Sequence, residues 1–198
     1  MTKKFWMLGT ALLALAGCSE TAEESAPPTN SPTAAAPASV GTPGTPGVPM
    51  AAPATAAQSA AYVAKAGAGD LWEIESSKAL LAKSDNSEVR KFAQMMIDQH
   101  GQSTAKIKAA AAAAKVDVAA PQLDPAQQTM LEEIKQADAG AIDAIYLRHQ
   151  RTAHDAALAL HRAYSEHGDA ESLKTAAREI VTVVEMHRSH LDKLGSQA

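Results

Sequence analysis

Four side chains of this sequence, Glu73, His100, His154 and His187, are of types that bind a metal ion or build a buried hydrogen-bond network. Each stands where a helix would normally carry an apolar residue. In VVEMHRSHL (183–191), heptad spacing puts Ile180, Val184, His187, Leu191 and Leu194 on one stripe, so His187 occupies a leucine position. His100 lies between Met96 and Ser103 on a stripe that begins with Val89 and Ala93. His154 continues the four-step row Tyr146, Gln150, His154, Leu158, and Glu73 shares a stripe of small residues with Ala66, Ser77 and Leu80. Burying such groups unpaired costs kilocalories each, so four together call for a common partner. One carboxylate and three imidazoles suit a single zinc, copper, nickel or iron ion. A closed hydrogen-bond network among the same groups is the alternative.

Positioning them requires four helices, and beyond Ala60 the chain has helical periodicity and no strand pattern. The pattern predicts helices over about 59–83, 87–115, 141–167 and 170–194. A short extra helix falls at about 125–137, with Asp124 as its cap and Pro125 at its first position. Gly168 suits a left-handed helix end and Asp169 a cap for the last helix. The short turns at 84–86 and 168–169 make helices one and two antiparallel, and likewise the last two long ones. The expected fold is therefore all-α: an antiparallel four-helix bundle with a short extra helix in its middle connection.

Depth along the bundle can be counted from the turns. Glu73 and His100 lie at levels within roughly 5 Å of each other, and His154 and His187 differ by about 7 Å, at 1.5 Å per residue. His149 is level with His187 by the same count, and His190 follows three residues later. Both stand as rival ligands.

The chain has 198 residues, 46% hydrophobic but only 4% aromatic, so its core must come from closely packed helices rather than large side chains. A net charge of -4 with no basic run gives no footprint for nucleic acid. There is no G-x-S-x-G elbow and no glycine-rich phosphate loop, and the reading leans against an enzyme.

Lys3 and Lys4 precede the twelve-residue apolar run FWMLGTALLALA (5–16), too short to span a bilayer and suited to a secretory signal over 1–17. Leu15-Ala16-Gly17-Cys18 resembles the lipobox of bacterial lipoproteins, which makes Cys18, the only cysteine, the expected lipidation site. By the same resemblance Ser19, in place of aspartate, implies the outer membrane, facing the periplasm. Residues 18–58 hold eight of the ten prolines and read as a tether, leaving 59–198 as the folded domain. The membrane, through that anchor, is the only partner implied.

The runs GDLWEIESSKALLAKSDNSEVRKFAQMMIDQH, IDAIYLRHQRTAHDAALALHRAY and IVTVVEMH resemble the bacterial envelope family called domain of unknown function 4142. The resemblance covers about residues 60–195 and implies a ferritin-like fold, with no established activity. Its matching polar positions are Glu73, His100, Asp143, Tyr146, Gln150, His154 and His187, which makes Asp143, Tyr146 and Gln150 outer partners of the ligands. The Glu-x-x-His pairs of di-iron oxidases do not occur in the sequence. The expectation is a lipid-anchored envelope protein that binds one metal ion, with a role in envelope or stress physiology. Its rival is a structural module whose inner histidines only bond to each other.

Overall fold

The computed structural model describes residues 54–196. The readings of the signal, of Cys18 and of nearly all the tether lie outside that range. Every regular element among the described residues is helical: α1 (Ala54–Leu81), α2 (Ser87–Ala113), α3 (Pro125–Gln136), α4 (Ile142–His167) and α5 (Glu171–Gly195). No helix among them is long and apolar enough to cross a membrane.

The ends of these helices follow local chemistry. α1 starts five residues before the periodic pattern does, because Ala54, Ala56 and Ala57 directly after Pro53 are strong helix formers. Asn86 caps α2 by accepting the backbone N–H groups of Glu88 and Val89. Asp124 and Gln127 form a reciprocal capping box on α3, as the Asp-Pro signal implies.

Two expected caps are absent. Gly168 is extended (φ -63°, ψ 153°) rather than left-handed, and Asp169 does not cap α5, whose first flanking residue is Ala170. Asp169 instead accepts from Ser59 Oγ (2.6 Å) and Tyr164 Oη (2.8 Å), which pulls the turn out straight. Gly168 is required for space: a Cβ there would stand 2.5 Å from the Tyr164 carbonyl and 2.6 Å from its ring.

Helix α1 packs on α2 and α4, and α5 packs on the same two. Contacts between Ser59 and Tyr164, and between Ser77 and Tyr146, make α1 and α4 antiparallel. Gln99 with His187, and Ala110 with Ser172, do the same for α2 and α5. Consequently α2 and α4 run in the same direction, and the segment between them must travel the length of the helical bundle. It passes close to Gly67, where Pro121 lies 3.4 Å from the position of an added Cβ, and places α3 against α1 and α4. Lys83 Nζ fastens its far end by donating to the Lys135 and Ala137 carbonyls.

The interior has three parts. One apolar cluster gathers Trp72, Leu80, Phe92, Met96, Ile134, Ile142 and Leu191 beneath α3. Another gathers Tyr62, Val63, Ile107, Tyr164, Leu173, Ile180 and Val184 towards the other end. Between them lies a polar belt of Asp70, Glu73, His100, Gln150, His154 and His187, all buried.

Candidate metal centre

The belt's three imidazoles converge. His100 of α2, His154 of α4 and His187 of α5 each offer a ring nitrogen, and the three nitrogens lie within 4.8 Å of one another. Their ring centroids are 5.3–5.9 Å apart. A tetrahedral zinc with 2.0–2.1 Å bonds needs about 3.4 Å between ligand nitrogens, a closure that small side-chain rotations supply.

The hydrogen bonds on the outer side of each ring fix which nitrogen faces inward. His154 Nδ1 is 2.8 Å from the Gln150 carbonyl, which can only accept, so Nδ1 carries the proton and Nε2 keeps its lone pair. His100 Nδ1 lies 2.8 Å from Asp70 Oδ1, which leaves the buried Nε2 inward, without any partner. His187 Nε2 is 2.7 Å from Gln99 Oε1, which leaves Nδ1 to face His154 Nε2 at 3.2 Å. If both of those inner atoms present lone pairs they repel, and a cation between them removes the conflict. With the Gln99 amide turned over, His187 Nδ1–H donates to His154 Nε2 instead, and the pair is satisfied without a cation.

Electrostatics favour neutral rings at two of the three positions. Burial, together with the neighbouring His100, pushes His154 down to about 3. Burial, His100 and His154 push His187 down to about 3. For His100 burial opposes protonation, but Asp70 and Glu73 outweigh it and the net shift is upward. Burial raises Glu73 to about 7 against the opposing pull of His100 and Gln150. The 3.3 Å approach of His154 to Glu73 is therefore no ion pair, since the ring is neutral and its proton is committed to a carbonyl.

Glu73 itself stands behind His154, outside the converging nitrogens. It accepts from Gln150 Nε2 at 2.6 Å, and Gln150 also reaches Ser76 Oγ. Tyr146 bonds to Ser77, on the α1 face that also carries Glu73. Asp143, in the first turn of α4, has a buried oxygen without a partner and makes no hydrogen bond to the histidines. The two rivals lie apart: His149 pairs with Glu133 of α3 at 2.8 Å, and His190 stands edge-on to Phe92.

Asp70 and Gln99 carry as much of the arrangement as the expected residues, yet sequence reasoning passed them over. A signal for Asp70 existed. Counted from the last residue of α1 and the first of α2, Asp70 is within about 3 Å of the level of His100, whereas Glu73 is off by about 7.5 Å. A count from the middle of the turn treats residues 82–86 as helical rise, which they are not.

Comparison with known proteins agrees with this architecture. The sequence profile of the family described as Domain of unknown function (DUF4142) matches residues 45–194. No curated protein matches the chain. The structure is similar to that of a DUF305 fragment from Deinococcus radiodurans, with a TM-score of 0.62 and 14% identity, covering 71% of this chain and 97% of that one. It is also similar to a DUF305 protein from Streptomyces coelicolor, at TM-score 0.61 and 15% identity, covering 73% and 94% respectively. At such identities the likeness is one of fold.

Proposed function

From the premise that the chain belongs to the DUF4142 family, whose description assigns no activity, we propose a function read from the site: one transition-metal ion bound by His100, His154 and His187. The observation that carries this reading is the division of roles within each ring. The outer nitrogen is tied to an oxygen of Asp70, Gln150 or Gln99, and the inner nitrogen is left pointing at its two counterparts. Metal-bound histidines are oriented in just this way, because the outer bond fixes the tautomer and raises the ligand's basicity. The Asp70 and Glu73 carboxyls lie close enough to offset the charge of a divalent ion. Imidazole donors suit zinc, copper, nickel or iron. When bound, the ion supplies a Lewis-acidic centre with three nitrogen ligands.

The fold is of ferritin-like connectivity in this reading, which the single long crossover between the parallel α2 and α4 supports. The dibasic N-terminus, the apolar run and LAGC support an outer-membrane lipoprotein anchored at Cys18, holding the bundle in the periplasm. Its role is metal binding in envelope or stress physiology rather than turnover.

Metal analysis of untagged protein tests the site. Wild type is expected to retain close to one ion per chain, His187→Ala to retain none, and His190→Ala to behave as wild type. Wild type that stays metal-free after incubation with zinc and copper rules the reading out. The anchor is tested by fractionation: Cys18→Ala should leave the membrane pellet, and a variant still pelleting after a high-salt wash contradicts lipidation.

A second reading, in which the histidines only bond to each other, is favoured by the 3.2 Å contact between His154 and His187. It predicts that His187→Leu is tolerated or stabilising, since a buried polar group gives way to an apolar one beside Val184 and Leu191.

A further inference from the structure

A cleft of about 330 Å³ opens between α2 and α5, with His100 and His187 among its lining residues and Ser103, Ile180, Val183 and Val184 along its walls. The volume holds several waters, at about 30 Å³ each, or one small polyatomic ion. Among the described residues only five buried side-chain polar atoms lack a partner, and two of them, His100 Nε2 and Ser103 Oγ, belong to this cleft. Ser103 follows His100 by three residues on α2, so the two share a face.

The two unpartnered atoms are of opposite kind. In the neutral ring the His100 Nδ1 proton is directed at Asp70, so Nε2 offers a lone pair, which a cation takes up in place of a second proton. The Ser103 hydroxyl carries a proton that no acceptor takes, and calls for an electron-rich atom. A ligand that meets both demands is an anion already bound to the cation. We propose that this cleft admits a small exogenous anion, of the size of azide, formate or hydrogencarbonate, to the fourth coordination position of the ion on the three histidines. Ser103 Oγ–H donates to it there. The proposal rests on the metal reading above. Three protein ligands leave such a position open, as sites that take up an exogenous ligand require. The apolar wall of Ile180, Val183 and Val184 lowers the local dielectric and strengthens the attraction between anion and ion. At the cleft's edge Lys106 of α2 pairs with Glu179 of α5, so the two charges at the rim offset each other.

The test uses the full chain loaded with cobalt(II), with metal content measured first, and azide as the probe read by its charge-transfer absorption. Wild type should saturate with one azide per cobalt. Ser103→Ala should keep its cobalt and bind azide roughly three- to ten-fold more weakly, the worth of one hydrogen bond. Ser103→Phe, which fills the cleft, should keep cobalt and lose the azide band. Cobalt-loaded wild type that shows no azide band overturns the open position alone, as does equal azide affinity in all three proteins. Wild type that holds no cobalt overturns the metal reading as well, so the two failures are told apart.

Discussion

Near one end of the bundle, Ser59, Tyr62, His161, Tyr164 and Asp169 close upon one another. Tyr62 Oη meets His161 Nδ1 at 2.9 Å, the Tyr62 and Tyr164 rings stack at 3.9 Å, and Asp169 takes both the Ser59 and Tyr164 hydroxyls. In the middle, the belt around His100, His154 and His187 leaves His100 Nε2, Ser103 Oγ and Gln150 Oε1 buried without partners. Both clusters use histidine, serine and aspartate, but the first draws only on α1, α4 and the turn after α4, whereas the second takes side chains from all four long helices. The first has no buried side-chain atom lacking a partner among the described residues, and it needs nothing further. The second leaves those three atoms open to a ligand or to water. Unsatisfied polar atoms cost about 1–3 kcal/mol each, so several in one place call for a bound ligand or ordered water.

The contrast can be broken most sharply by adding metal. An ion that binds only the folded chain stabilises it by about 4 kcal/mol at a thousand times its dissociation constant. Thermal unfolding should show that increment in wild type and in His161→Gln, and not in His154→Ala. Equal stabilisation of all three would remove the distinction between the clusters.

Acid probes the closed cluster next. Burial pushes His161 down to about 4 from an ordinary value of 6.5, opposed by the nearby Asp70 carboxylate and assisted by His100. The unfolded chain therefore binds a proton that the folded chain refuses. Stability from this group is whole above about pH 6.5 and is lost as the pH falls towards 4, a total on the order of 3 kcal/mol. His161→Gln keeps an amide for Tyr62 and removes this contribution. Urea denaturation at pH 7 and pH 4.5 should then show a smaller acid loss in the variant than in wild type. An unchanged loss would assign acid sensitivity to the belt instead.

The smallest effect expected comes from Gly168→Ala. The new methyl group meets the Tyr164 carbonyl and ring, and the turn must shift by enough to disturb Asp169 and its two hydroxyl donors. Overpacking of this kind costs about 1–3 kcal/mol. Metal content should not change, because His154 and His187 lie more than a dozen residues from the turn on either side. A loss of metal in this variant would show that the two clusters are coupled.

Helical order, the capping of α3 and the inward stripes of α2 and α5 were all legible in the sequence, because periodicity and Asp-Pro chemistry are local. His100, His154 and His187 were legible for the same reason: each interrupts an apolar stripe. The stripes alone do not name the oxygen that stands behind each ring. Asp70 rather than Glu73 meets His100, since the five residues between α1 and α2 do not rise as a helix does. Gln99 sits beside a stripe position and gave no periodic signal at all. Gly168 suggested a left-handed end, but the demand there is volume, which appears only once Tyr164 is in place.

The long crossover between α2 and α4 also bears on the order of assembly. It divides the chain into two hairpins, α1 with α2 and α4 with α5. The first carries a single inner imidazole, His100, already held by its own Asp70, and the second carries His154 and His187. Neither hairpin alone can present three nitrogens, so a complete ligand set exists only after the halves dock. An ion bound there acts as a clasp across the α2/α5 seam and raises the free energy of any opening that parts the hairpins. Amide exchange along that seam, in helices whose backbone touches no metal, would slow with each increment of occupancy.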